Sequence, residues 1–166
     1  MDAGLVEMLR YNRWANATLL EACRALTDEQ LDAAVPGVSG TVRVLLMHIV
    51  GGQQTFALRT KGRQHEGELR RESAWPGWDD LFRTAEATND DLIAIAASLD
   101  PGAEVDLPYV GKTYRFPTRF FLVHAAEHAI EHRTEIKVAL AHMGVETPDL
   151  DAWAYARAMG YGAEVD

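Results

Sequence analysis

Residues 117–144 read PTRFFLVHAAEHAIEHRTEIKVALAHMG. At about 100° per residue, Phe121, Ala125, Ala129, Ile136, Ala139 and Met143 fall on one helical face, centred near His132. Pro117 suits the first helical position, where its missing N–H has no partner in any case. Gly144 suits the C-terminal cap. The stretch therefore predicts a long helix from Pro117 to Met143 that turns a small-residue face inward.

Three more segments carry the same period. Leu5, Met8, Ala15, Leu19, Ala22 and Leu26 define a first helix over residues 4–26. Thr27-Asp28-Glu29-Gln30 reads as a cap opening a short turn over Leu31. After the loop Pro36–Gly40, a second helix runs from Ser39 or Thr41 to Lys61 and stops at Gly62. Residues 62–76 are polar and without period, which reads as a long surface connection. Trp75-Pro76-Gly77-Trp78 opens a third helix lined by Trp78, Leu81, Ala85, Leu92, Ile95 and Leu99, and Asp100-Pro101-Gly102 ends it. Alternation at Val105, Leu107 and Tyr109, then at Tyr114 and Phe116, reads as a small hairpin or extended loop turning at Gly111-Lys112. A tail with Pro148, Trp153 and Tyr155 adds one short helix. Four long helices around one core predict an all-α four-helix bundle in one domain, residues 1–166. Two connections are long enough to cross it, so the topology need not be simple up-down.

Composition excludes several classes of function. The chain has 166 residues, 16 Lys+Arg against 25 Asp+Glu, and a net charge of −9. A nucleic-acid binder needs clustered cations, and the densest cluster, Arg70–Arg71, is flanked by Glu68 and Glu72. No apolar run of about 18 residues is present to span a membrane. MDAGLVEMLR lacks the basic and apolar regions of a secretory signal, which predicts a cytoplasmic protein. Cys23 is the only cysteine, so no internal disulfide forms, and its place beside Ala22 and Leu26 predicts a buried, inert thiol.

The chemistry lies in the histidines. His124, His128 and His132 stand four apart, but they span about 12 Å of helix rise, too far for one ion to hold all three. His132 is at the centre of the inner face, His128 about 40° away and His124 about 80° away. The inward pair is His128 and His132, at a spacing that lets two imidazoles grip one metal ion. Burying two imidazoles without partners would be costly. Zinc-like ions take at least three protein ligands, and His48, in LLMHIVGGQQ, is the other histidine in the heart of an apolar helix. Gly51 and Gly52 beyond it permit close approach of a helix or a ligand, or simply tight packing. His65 falls in the polar connection and reads as a solvated residue. Three neutral imidazoles suit Zn, Ni, Fe or Cu more than Mg or Ca. Glu135, three residues past His132, is placed to act as an orienting acceptor, as a base, or as a solvated carboxylate at the rim.

Other motifs fall short. His124-x-x-Glu127-His128 and His128-x-x-Glu131-His132 both match the short H-x-x-E-H pattern, in a chain small for a peptidase cleft. No histidine closes a Glu-x-x-His, which argues against a ferritin-like di-iron site. Gly111-Lys112-Thr113 lacks the first glycine of a phosphate loop, since Asp106 stands in its place.

Tyr11-Asn12-x-Trp14-Ala15-Asn16, the stretch Thr41 to His48, and His128-x-x-x-His132-Arg133-Thr134-Glu135-Ile136 together resemble the motifs of the DinB/YfiT-like superfamily over nearly the whole chain. That resemblance implies an up-down-down-up bundle, often a homodimer, with His48, His128 and His132 as ligands of a divalent ion such as Zn or Ni. His124 falls outside the ligand pattern. It also implies an enzyme using a low-molecular-weight thiol on a small-molecule substrate, as mycothiol and bacillithiol transferases and a maleylpyruvate isomerase do. Arg outnumbers Lys, which suits a GC-rich genome and, with it, mycothiol. Three functional readings follow: thiol transfer, metal-dependent hydrolysis with Glu135 or Glu131 as base, and a non-catalytic metal-binding or structural dimer. The first leads, because three ligands leave a coordination position open.

Overall fold

The computed structural model describes residues 2–64 and 69–162. The first apolar stripe forms α1 (Ala3–Cys23), whose free N-terminal Leu5 N–H donates to the Asp2 carboxylate at 3.1 Å. It ends three residues before Leu26, where the expected helix stopped. Thr27 and Gln30 form a reciprocal capping box that opens α2 (Asp28–Leu31). α3 (Val42–Arg59) starts after Thr41, whose hydroxyl accepts from Val44 N–H at 3.4 Å. α4 (Trp78–Ser98) follows Gly77, which has a φ of 87° that a side-chain-bearing residue would adopt only under strain.

Two short strands, β1 (Glu104–Tyr109) and β2 (Lys112–Pro117), pair antiparallel with Leu107 opposite Tyr114. The turn is Val110-Gly111, with φ of 45° and 72°, rather than the expected Gly111-Lys112. Lys112 is already in the ladder opposite Tyr109. Pro117 also departs from expectation. It is the last residue of β2, and α5 (Arg119–His142) begins after Thr118. A terminal strand position tolerates proline for the reason a first helical turn does, since neither requires its missing N–H. Gly144, at φ 68°, follows α5, and Val145 N–H returns to Leu140 O at 2.9 Å, a Schellman closure. α6 (Ala152–Ala158) lies on α1: Tyr11 donates to Leu150 O, and Tyr155 donates to the Glu7 carboxylate, both at 2.7 Å.

The chain is thus mostly helical, with one hairpin. α1 packs on α4 and α5, and α3 packs on the same two. Arg13 reaches from α1 to Glu86 and Asp90 on α4, while Arg24, a turn past Leu20, reaches Asp79. One apolar cluster gathers Leu19, Leu45, Leu81, Ile136 and Leu140, and a second gathers Leu9, Phe56, Leu92, Phe121 and Leu122. Fully burying one such side chain contributes roughly 1.5–3 kcal/mol. At the positions between the two clusters, Asn12, Gln53 and Asn89 form a polar layer. Gln53 and Asn89 exchange side-chain hydrogen bonds at 3.3 Å, and Asn12 donates to Asn89 at 3.4 Å. Arg133, 3% exposed, closes the layer from α5 by donating to Asn12 and Asn16 at 2.7 and 2.6 Å. Cys23 is buried as expected, and desolvation pushes its thiol up to about 12. No described helix is long and apolar enough to cross a membrane.

Candidate metal centre

α3 and α5 bring three histidines together. The rings of His48, His128 and His132 have centroids 4.7, 4.6 and 4.5 Å apart, close to an equilateral triangle. One ring nitrogen from each lies within 4.8 Å of the other two. Two local features allow this. His128 and His132 are one turn apart on α5, so their rings meet edge to face on one side of the helix. Gly52 on α3 leaves the space the His128 ring occupies: a Cβ there would stand 2.7 Å from His128 Cε1.

The polar atoms suit a cation at the centre of the triangle. His48 Nε2 and His128 Nε2 are 3.1 Å apart. Bonds of about 2.0–2.1 Å at a tetrahedral angle would separate two ligating nitrogens by about 3.3 Å. Burial, reinforced by the Arg71 charge and by His132, lowers the pKa of His48 to about 4. Burial, then His132 and His48, lowers that of His128 to about 3. Both rings are therefore neutral at neutral pH, the form that ligates metal. His128 Nδ1 is buried without a hydrogen-bond partner, so its ring is not held by a conventional polar contact on that side. Three imidazole nitrogen donors fit a borderline divalent ion such as Zn or Ni.

Glu135 is tied into the same cluster. Its Oε2 lies 2.6 Å from His132 Nδ1 and accepts from the Ser39 hydroxyl at 3.0 Å. Its Oε1 accepts from the Ser39 backbone N–H at 3.0 Å. Burial alone would raise the Glu135 pKa, but the bonds from His132 and from Ser39 outweigh it and hold the carboxyl below its ordinary value. An ionised Glu135 favours a proton on His132 Nδ1 and so turns its Nε2 toward ligation. Arg71 extends the chain by donating to Ser39 O at 3.1 Å.

The remaining histidines and acids separate from the triad. His124 packs tilted against Phe56, with centroids 4.3 Å apart, and its ring is 6.2 Å from that of His128. Glu131 is exposed and lines an outer groove with Leu5 and Met8 between α1 and α5. His65 lies outside the described residues. The connection read as mere surface does more than expected. Leu69 lies so close on Gly51 that a Cβ there would stand 1.7 Å from Leu69 O, and this docking carries Arg71 to the site. Gly51 was the signal for that approach. Ser39, in the loop before α3, had no signal in periodicity or motif.

A mostly helical fold with a three-histidine cluster across two of its long helices defines a class of small metal-binding proteins. This chain belongs to the DinB family, whose model matches residues 1–163. A crystal structure of a DinB-like protein from Bacillus cereus has the same fold, with a TM-score of 0.66 at 21% identity, covering 89% of this chain and 96% of that one. No curated protein matches the chain.

Proposed function

We propose that the chain is a divalent-metal-dependent enzyme, one domain over residues 1–166, with His48, His128 and His132 as ligands of Zn or Ni. Its reaction, in this reading, is a thiol-dependent S-transfer of the mycothiol or bacillithiol type to a small electrophilic substrate. The near-equilateral histidine triangle, beside an opening of about 330 Å³ that His48 and His128 help to line, carries the proposal. A divalent ion held there supplies Lewis acidity, lowering the pKa of a thiol or water at its open position. The chain's own residues prepare the site. Burial keeps His48 and His128 neutral, Glu135 orients His132, and Ser39 with Arg71 holds Glu135.

The bonds of Glu135 favour its role as an orienting acceptor over that of a base, since both its oxygens are engaged. Glu131, in the outer groove, is poorly placed to serve the hydrolytic alternative. A closed structural site would require a fourth protein ligand, and among the described residues the cluster holds three. The up-down-down-up order is supported by the contacts of α3 with α5, where His48 meets His132 while Phe56 meets His124. It is supported also by α1 and α5, where Met8 lines a groove with Val123, and Asn16 meets Arg133. Exposed Phe120, Val123 and Ile130 on α5 favour a homodimer, and the lone cysteine favours the cytoplasm.

Metal-loaded protein incubated with bromobimane and a panel of biological thiols tests the activity. Conjugation faster than with H128A is expected. Equal rates for the two proteins would refute S-transfer, and ester or amide turnover without thiol would favour hydrolysis.

A further inference from the structure

The opening beside the histidine triangle is cationic in a chain that is otherwise acidic. Among the described residues it is lined by Arg59, Arg70 and Arg71, with Glu72 as the one carboxylate, and by His48 and His128. The whole chain carries a net charge of −9. Several arginines elsewhere meet acids: Arg13 meets Glu86 and Asp90, Arg43 meets Asp28 and Asp32, and Arg115 meets Asp106, while Arg119 and Arg133 donate to carbonyl oxygens. Arg59 lies over the Phe56 ring at 5.7 Å, and Arg71 directs Nη1 to Ser39 O at 3.1 Å and Nη2 to Ser39 Oγ at 3.5 Å, which leaves further N–H donors of its guanidinium for a ligand. Neither has a carboxylate partner among the described residues.

Both side chains are already ordered by these contacts, so a ligand would not bear the full entropic cost of fixing them. A planar guanidinium matches a carboxylate or phosphate through paired N–H donors. A positive mouth on a negative body also focuses field lines onto the opening and draws anions toward it. About 330 Å³ is at the small end of ligand cavities.

We infer that this opening selects a small anionic substrate or thiol, whose carboxylate or phosphate is received by Arg59 and Arg71 while its reactive end faces His48 and His128. The inference deepens the proposed function and rests on its reading of the histidines as the reacting end of the opening. Glu72, exposed at the rim, opposes the anion and narrows selection to ligands that engage both arginines.

Two arms test it separately. In the metal-free protein, thermal shift is titrated with succinate, with inorganic phosphate, and with neutral succinamide. Succinate or phosphate should half-saturate about 10-fold lower in the wild type than in R59Q or R71Q, with succinamide inert. Whichever anion binds more tightly identifies the acid group. In the cobalt(II)-loaded protein, the visible spectrum is titrated with 3-mercaptopropionate, 2-mercaptoethanol and cysteamine. Half-saturation should rise in that order, by about 10-fold from first to last, and flatten to within about 2-fold in R59Q.

Equal half-saturation by the three thiols, together with anion shifts unchanged in both variants, would overturn the inference. Cobalt that binds with no preference for thiol charge sinks the anion selection and leaves the metal site standing. Arginine-dependent anion binding in a protein that takes up no cobalt does the reverse.

Discussion

His132 and Arg133 are consecutive residues of α5 that enter two opposite environments. His132 turns toward α3, where it joins two other imidazoles at a cluster open to solvent through a cavity. Arg133 turns toward α1 and is buried among the amides of Asn12 and Asn16, with its face on the Tyr11 ring at 5.6 Å. Both regions place polar groups inside a helical core, and they meet the cost differently. Around Arg133 one nitrogen, Nη1, donates to two amide oxygens, while Nη2 and the Asn16 amide nitrogen have no partner. Around the histidines two ring nitrogens face each other at 3.1 Å, and His128 Nδ1 has no partner. The contrast separates a polar layer that sets helix register from a donor cluster arranged for a cation.

Arg133→Ala should show the largest effect. It strands the Asn12 and Asn16 carbonyl oxygens, each at about 1–3 kcal/mol, and opens a cavity. A loss of about 3 kcal/mol or more in urea unfolding is expected, while the folded fraction keeps its metal. Metal affinity that falls with stability held would erase the distinction between the two regions.

Glu135→Gln addresses the histidine side. The amide can still contact Ser39 but holds His132 Nδ1–H more weakly. Metal affinity should drop about 10–100-fold, read by competition with a chelating dye, with unfolding changed by under about 1 kcal/mol.

Acid gives the smallest effect, and its sign follows from the lowered histidine values. Free imidazole titrates near pH 6.5, whereas folded His48 and His128 do so at about 4 and about 3. Between these values the unfolded chain binds protons that the folded chain does not. Stability of the metal-free protein therefore falls as the pH drops from about 6.5 toward 4. Both rings are partly open to solvent, which narrows the window, and within it the slope is at most ~1.4 kcal/mol per pH unit per group. Urea midpoints in H48A and H128A should be flatter across this window than in the wild type.

The histidine side was the more legible in sequence. Four-residue spacing and helix phase are enough to select His128 and His132 over His124, and an apolar helix with Gly51-Gly52 marks His48. The helices themselves follow from apolar period, cap residues and terminal glycines. The polar layer was not legible for a physical reason. Asn12, Gln53, Asn89 and Arg133 interrupt apolar faces that periodicity can only score as imperfect, and their partners lie on other helices. Arg133 hides further because its long side chain reaches across to α1 from beside His132. Pro117 went to the wrong element because a strand end and a helix start make the same demand on its missing N–H. The docking of Leu69 on Gly51 depends on tertiary contact, so residues 62–76 read as surface until the close approach was visible.

Metal content measured by mass spectrometry on protein purified without a nickel column is the most direct test of the three-histidine site. We predict about one divalent ion per wild-type chain and less than about a tenth of that in folded H48A, H128A and H132A, since each removes one of three ligands. A metal content indifferent to all three substitutions, or bound instead through His124, would contradict it.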